Sequence, residues 1–322
     1  MATPAQKRTK KTTASLTPTS DKKRVEVKVK VPLTENILFI GSEMSYDLFW
    51  LKMMFIGATY PMAKQMRTAD RVVIAYVDEG YTHLEKLAID NLAKQCKDKS
   101  RSQTVEVKKL GSSADVTTLL NREREDYKLL DVYFSSHGVL NWIDLNYKGK
   151  MPRVQFGISS LPAVSPTAFA RHGRLYSYAC RTGISVEDAM LGFKSEADAK
   201  PEDSLAQKMA DHFGIEVHAF LRRSFYGDVL RERSASEAIS KALRDGRKIS
   251  GDTAVINLPP DHEGLPHPGL ANRGSSLLGT GPKGEGTDNF ALWRKRGGRS
   301  LPTAASDPAG LGSGMRVFKP RV

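Results

Sequence analysis

Apolar runs and amphipathic stretches alternate along residues 36–220 of the chain. Runs rich in β-branched and aromatic residues predict six strands, at residues 36–41, 71–78, 104–110, 129–135, 175–179 and 215–220. The stretches between them predict helices at residues 46–56, 81–97, 113–126, 166–171 and 203–213. This alternation is typical of an α/β fold in which helices cover both faces of a mostly parallel, six-stranded sheet.

The polarity of each run predicts its place in the sheet. The polar alternation of residues 104–110 indicates an edge strand, whereas four of the other runs are apolar enough for strands covered on both faces. A last helix is expected at residues 236–245, and the Gly- and Pro-rich end is expected to extend around the domain through residues 290–293. We therefore divide the chain into an arm (1–33), a globular domain (34–250) and a C-terminal extension (251–322).

Charge is concentrated at the amino terminus. The formal net charge is +13, and residues 1–30 hold nine Lys or Arg against Asp21 and Glu26. We interpret this arm as a solvated, disordered tail; an acidic partner, nucleic acid or an anionic membrane are the alternatives. No transmembrane segment and no secretory signal are recognisable, which predicts a soluble protein located in the cytoplasm or delivered without a Sec signal peptide.

Two of the predicted strands end in residues that can perform chemistry. His137 and Gly138 follow the run 129–135, and Cys180 follows the run 175–179. Because the carboxyl ends of parallel strands lie at one edge of a sheet, we expect His137 and Cys180 to face one crevice. Nucleophilic sulfur needs a neighbouring group that accepts and returns protons, and the adjacent Arg181 favours the thiolate. The backbone N–H groups of Gly138 and Cys180 are candidate oxyanion donors.

The other histidines and the second cysteine compete poorly for this role. His172 also precedes a glycine, but it comes before its strand, which predicts the opposite edge of the sheet. Cys96 ends a Lys-rich helix and is interpreted as a small core residue or a surface position. Two cysteines without recognisable spacing fit a reducing compartment, and the Cys and His spacing predicts no metal site and no cofactor.

These motifs resemble those of the caspase-like cysteine peptidases, the group of caspases, metacaspases, gingipains, legumains and separases. The similarity rests on residues 136–138 (SHG), residues 178–183 (YACRTG) and the 43 residues from His137 to Cys180, and it covers about residues 36–230. Residues 204–219 further resemble the helix, glycine and strand that follow the nucleophile in bacterial members. The resemblance implies that Cys180 attacks a peptide carbonyl, that His137 protonates the leaving amine, and that a dyad suffices.

Substrate preference stays open at this stage. Tyr178 stands where caspases have Gln and metacaspases have Asp, so the candidates for a substrate pocket are Tyr178, Arg181, Glu187 and Asp188. The two acids suit either a pocket for a basic side chain or the start of a helix. The polar segment 192–203 is expected to be an exposed loop, with autoprocessing as the alternative.

Two other functions remain as alternatives. The first is a non-catalytic, caspase-like binding or scaffold module that recruits partners through its arm and tail. The second, weaker one is a nucleotide-binding α/β protein, for which the turn Gly41-Ser42-Glu43 is the candidate phosphate contact. Residues 279–284 formally read G-x-G-x-x-G, but they follow no strand and contain Pro282, so they do not support this alternative.

Overall fold

A mostly parallel sheet of seven strands forms the centre of the protein. The computed structural model describes residues 31–44, 52–187, 192–226, 229 and 297–321. The central strands are β1 (Leu33–Ile40), β2 (Arg71–Val77), β3 (Val105–Leu110), β4 (Tyr127–Ser135), β8 (Phe169–Ser177), β9 (Glu216–Phe220) and β12 (Met315–Phe318). Their order in the sheet is β12-β9-β8-β4-β1-β2-β3, and β12 alone runs antiparallel to its neighbour.

Helices and small strands surround this sheet. The α-helices are α1 (Met54–Gln65), α2 (His83–Cys96), α3 (Ser113–Asn121) and α4 (Leu205–Phe213). Short 3-10 helices occupy Lys97–Lys99, Ile158–Ala163, Glu196–Ala199 and Pro201–Asp203. The small strands are β5 (His137–Val139), β6 (Trp142–Asp144) and β7 (Gln155–Gly157) in one sheet, and β10 (Ser224–Phe225) with β11 (Thr303–Ala304) in another.

Alternating residues of the central strands supply two separate cores. On β1, Ile37 and Phe39 pack in a cluster with α3 and α4, whereas Leu38 and Ile40 pack in a cluster with α1 and α2. Both faces of the sheet are therefore covered, which explains why these strands are apolar without alternation. The prediction of a mostly parallel α/β sheet is confirmed, and β3 lies at its edge as predicted.

The strand count, one helix and the ends of two others were predicted incorrectly, since α1 continues to Gln65 and α3 already ends at Asn121. The sheet has seven strands because β12, from the C-terminal extension, pairs with β9 from Met315↔Phe220 to Phe318↔Val217. No helix forms at residues 166–171, since β8 begins at Phe169 and pairs with β4 across an irregular register. The segments predicted at 236–245 and 290–293 lie outside the described residues.

Some local signals in the sequence act as predicted. Thr82 and Glu85 form a reciprocal capping box at the start of α2. Gly214 ends α4 with φ of 65°, the left-handed conformation that a residue without Cβ adopts readily. In the part of the chain that is described, no helix has the length and apolar character needed to cross a membrane.

Candidate active site

Three adjacent strands end at the same edge of the sheet, and each is followed by an ionisable residue. Glu43 follows β1, His137 follows β4 and Cys180 follows β8. The loops are joined by backbone hydrogen bonds, since the N–H of Gly41 donates to the Ser135 oxygen at 2.8 Å and that of Tyr178 to the Phe134 oxygen at 3.0 Å. The parallel topology thus brings three chemically different side chains to one edge.

Gly138 packs directly against the backbone of Cys180. A Cβ atom at position 138 would lie 2.5 Å from the Cys180 nitrogen and would also overlap the Cys180 oxygen. Real Cβ atoms essentially never come this close, so the approach requires glycine. The residue that follows His137 is therefore in contact with the residue predicted to be the nucleophile.

Glu43 and two aromatic rings fix the imidazole of His137. Nε2 of His137 lies 2.6 Å from Oε2 of Glu43, whose side chain is completely buried, while 23% of the His137 side chain is exposed. The ring packs edge-on to Phe55 at 4.9 Å and tilted to Tyr147 at 5.2 Å. Because Glu43 engages Nε2, a proton exchange between His137 and a bound molecule would use Nδ1.

Glu43 is held by a buried turn. The Ser42 N–H donates to the Leu145 oxygen at 2.7 Å, and the Tyr81 hydroxyl donates to the Gly41 oxygen at 3.0 Å. Burial raises the pKa of Tyr81 well above its usual value, and the negative charges of Glu43 and Glu85 raise it further, so the hydroxyl keeps its proton. The turn after β1 therefore presents its carboxylate in one position.

Cys180 receives a hydrogen bond from the strand that follows β9. The Ser224 N–H lies 3.2 Å from Sγ of Cys180, and the Ser224 hydroxyl donates to the Tyr178 oxygen at 2.6 Å. An N–H directed at sulfur stabilises negative charge on it. The next residue, Arg181, has φ of 54°, a left-handed conformation that is costly for a residue with a Cβ. Strained backbone of this kind clusters at functional sites.

The backbone N–H of Gly138 is not used in the pairing of β5 with β6. β5 and β6 form a hairpin with a two-residue loop. Val139 and Trp142 are its closing pair, and Gly138 lies opposite Ile143. Hydrogen-bonded and non-hydrogen-bonded pairs alternate in such a ladder, so the N–H of Gly138 points away from β6. That N–H therefore stays a candidate oxyanion donor, together with that of Cys180.

The predicted pocket residues have different environments. Tyr178 is buried in the core and packs edge-on to Phe220 at 6.1 Å, and burial raises the pKa of its hydroxyl. It has little surface to offer a substrate. Arg181 is half-buried, Glu187 is exposed, and Asp188 lies outside the described residues.

The competing residues lie elsewhere. Cys96 is fully buried, and burial raises the pKa of its thiol to about 12, which makes it a poor nucleophile. His172 lies in the first half of β8, where its carbonyl accepts a hydrogen bond from Arg67 at 2.9 Å, at the end of the strand away from Cys180.

Glu43 was not predicted as a residue of this site. It is separated from His137 by 94 residues, and only the adjacency of β1 and β4 brings the two together. The available signal was its position, since Glu43 is the first ionisable residue after an apolar strand, as His137 is after β4.

The turn after β1 is not arranged for a phosphate. The N–H groups of Gly41 and Ser42 donate to protein carbonyls, and the carboxylate of Glu43 would repel an anion. Residues 279–284 lie outside the described residues. Among the residues that are described, no group of three or more His, Cys, Asp or Glu could hold a metal ion.

Searches of protein-family models, curated proteins and solved structures found no match to this chain.

Proposed function

We propose that the protein is a caspase-like cysteine endopeptidase in which Cys180 is the nucleophile and His137 the general acid and base. The observation that carries this proposal is the meeting of the loops after β4 and β8, where Gly138 packs on the Cys180 backbone. The hydrogen bond from Ser224 to sulfur and the contact of Glu43 with His137 support it. Each of these contacts has a defined task in acyl transfer.

The first half of the proposed reaction forms a thioester. The Cys180 thiolate attacks the carbonyl carbon of the scissile peptide, and the oxygen takes up the negative charge beside the N–H groups of Gly138 and Cys180. The C–N bond then breaks as protonated His137 gives its proton to the leaving amine. The products are an acyl-enzyme on Sγ, a free amine and a neutral imidazole.

The second half restores the enzyme. Neutral His137 accepts a proton from water while the water oxygen attacks the thioester carbonyl. The C–S bond breaks, a carboxylic acid leaves, and the sulfur departs as thiolate beside the imidazolium. Glu43 acts as a positioning residue throughout, because its buried carboxylate holds Nε2 and stabilises the positive charge of the imidazolium.

The proposed substrates are proteins or peptides, and self-processing is part of the proposal. Most of residues 193–203 are exposed, as expected, but the segment contains two 3-10 helices, and Ala199 and Pro201 are buried. The Ser185 N–H donates to the Ala199 oxygen at 3.1 Å. A cut at Ala199 or Pro201 therefore requires local opening first.

The proposal is tested with peptidyl acyloxymethyl ketones that differ in the residue before the warhead. We expect one or more of them to modify Cys180 stoichiometrically, as located by mass spectrometry of the digested protein. Cys180→Ala should abolish modification and peptide hydrolysis, and His137→Ala should lower hydrolysis by about 10²–10⁴-fold. Cys96→Ala is the matched control, since it removes the other thiol from the core without touching the crevice.

Hydrolysis that persists in folded Cys180→Ala would contradict the proposal. A wild-type protein that hydrolyses none of a diverse peptide library and reacts with none of these probes would favour the non-catalytic scaffold. Circular dichroism of each variant separates loss of chemistry from loss of fold.

A further inference from the structure

The C-terminal segment, here residues 303–311, lies beside the strand that contacts Cys180. β10 and β11 pair antiparallel, with Ser224 opposite Ala304 and Phe225 opposite Thr303. The Ala305 N–H donates to the Arg223 oxygen at 2.8 Å, which continues the pairing. A segment about 80 residues further along the chain therefore covers one side of β10.

β10 separates this segment from Cys180. Backbone groups of successive residues in a strand point to opposite sides. The carbonyl of Arg223 faces the C-terminal segment, and the N–H of the next residue, Ser224, faces Sγ of Cys180 at 3.2 Å. The position of that N–H thus depends on how firmly the other side of β10 is held.

Arg222 connects the C-terminal segment to the residue after Cys180. Its side-chain Nε donates to the Leu311 oxygen at 2.8 Å, Nη2 contacts the same oxygen, and Nη1 lies 3.5 Å from the carbonyl oxygens of Ala305 and Ser306. Its backbone carbonyl accepts the N–H of Arg181 at 3.0 Å. One residue therefore binds the segment with its side chain and the Cys180 loop with its backbone.

The segment also reaches the chain beyond the Cys180 loop. The Phe193 N–H donates to the Ala309 oxygen at 3.0 Å, and Gly310, with φ of 80°, packs against the Phe193 carbonyl. Any side chain at position 310 would overlap that carbonyl. Residues 303–311 thus contact the chain both after β8 and after β9.

We propose that Arg222 is a positioning residue through which residues 303–311 hold the Ser224 N–H on the sulfur of Cys180 and keep the thiol reactive. This inference rests on the proposed function only for its consequence in peptide hydrolysis. The reactivity of the thiol itself is measurable whether or not a peptide is cleaved.

The test measures alkylation of Cys180 by iodoacetamide in the full-length chain, in a Cys96→Ala background, at a fixed pH. Arg222→Ala should slow alkylation about tenfold, the effect of losing a hydrogen bond to a charged group. Arg222→Lys keeps the charge but loses the planar guanidinium that binds several carbonyls. Its alkylation rate should therefore lie between those of wild type and Arg222→Ala.

Arg321→Ala is the matched control. Arg321 anchors the same end of the chain, with Nε 2.9 Å from Oδ2 of Asp211 on α4, near the edge of the sheet opposite Cys180. It should leave the alkylation rate unchanged, and the melting temperatures of both variants show whether each is folded.

Alkylation that is unchanged or faster in folded Arg222→Ala would overturn the inference. Should that variant not fold, the Arg222→Lys rate decides in the same way. Slower alkylation of Arg222→Ala, in a protein with no reaction toward any peptidyl probe, would support the positioning role and contradict the peptidase.

Discussion

At each of the two edges of the sheet where the central strands begin and end, a glutamate on or after β1 is buried. The two glutamates have different partners. Glu35 lies near the amino end of β1 and Glu43 follows its carboxyl end; both side chains are 0% exposed. A buried carboxylate is costly unless charged or hydrogen-bonding groups compensate it. The two glutamates differ in the chemical nature of the partner that compensates their charge.

Glu35 is surrounded by guanidinium groups. Arg71, Arg122 and Arg124 all form ion pairs with it. Burial lowers the pKa of Arg124, and the neighbouring Glu35 acts in the opposite direction. Arginine stays protonated at any physiological pH, so this edge of the sheet holds a fixed set of charges. Such a network can only serve architecture.

Glu43 instead faces an imidazole that is partly exposed, on the loop that packs against the Cys180 backbone. An imidazole, unlike a guanidinium, can accept and release protons in acid–base chemistry. A carboxylate paired with arginine maintains structure, whereas one paired with histidine can also support proton transfer. The distinction is open to direct tests of stability and reactivity.

The largest effect is expected from Glu35→Gln. It leaves three arginines around a neutral amide, and breaking a buried ion pair by removing one partner costs about 3–5 kcal/mol of the free energy of unfolding. Urea denaturation measures the loss. Cys180 alkylation in the folded protein should not change, because this cluster lies at the other edge of the sheet.

Glu123→Gln is the control for that experiment. Glu123 pairs with Arg71 at 2.7 Å, but half of its side chain is exposed, so its removal should cost at most about 1 kcal/mol. Equal losses in the two variants would show that burial of Glu35 adds nothing.

Glu43→Gln is expected to have a smaller effect, and the effect is on the activation free energy of Cys180 modification instead of on stability. The amide preserves the shape of the side chain but removes the charge that orients and stabilises the imidazolium. Modification of Cys180 by a reactive peptidyl probe should slow about 10²-fold, the low end of what a positioned acid–base group contributes. The rate constant for probe labelling is the measurement.

Glu79→Gln provides the comparison at the same edge. Glu79 accepts the Met151 N–H at 3.0 Å and so holds a backbone segment instead of an imidazole, and labelling should proceed at the wild-type rate. If Glu43→Gln also labels at that rate, Glu43 only fills space beneath the histidine.

Much of the fold follows from local patterns in the sequence. Strands covered on both faces appear as continuous apolar runs, which explains why β1, β2 and β4 were located within a few residues. β12 was missed because four residues with two exposed positions give no recognisable pattern. The start of β8 was missed because Arg171 and His172 are exposed within the strand.

The candidate site likewise contains residues that local sequence patterns predict and residues that they do not. His137 and Cys180 could be predicted because each directly follows an apolar run, and parallel strands bring such positions together. Glu43, Ser224 and Arg222 reach the site through contacts between distant parts of the chain, which no local pattern encodes. Tyr178 was predicted to line a pocket, yet the side chain at that position packs into the core.

The smallest expected effect concerns the pH dependence of stability. It tests the arginine cluster around Glu35, which Glu106 joins through Arg122. A hydrogen bond from Arg122 lowers the pKa of Glu106 to about 2 from its usual 4.5. A carboxyl with a depressed pKa in the folded state contributes stability above its unfolded pKa, and this contribution disappears as pH falls toward the folded value. Glu106 therefore stabilises the protein at pH 5 and progressively less between pH 4.5 and about 2.

Glu106→Gln should remove that dependence. About a third of the Glu106 side chain is exposed, so solvent screening limits the effect to at most about 1 kcal/mol. Urea midpoints of wild type and variant should differ most near pH 5 and converge near pH 2, whereas exposed Glu187→Gln should parallel wild type throughout. Parallel curves for Glu106→Gln would mean that its pairing with Arg122 contributes nothing to stability.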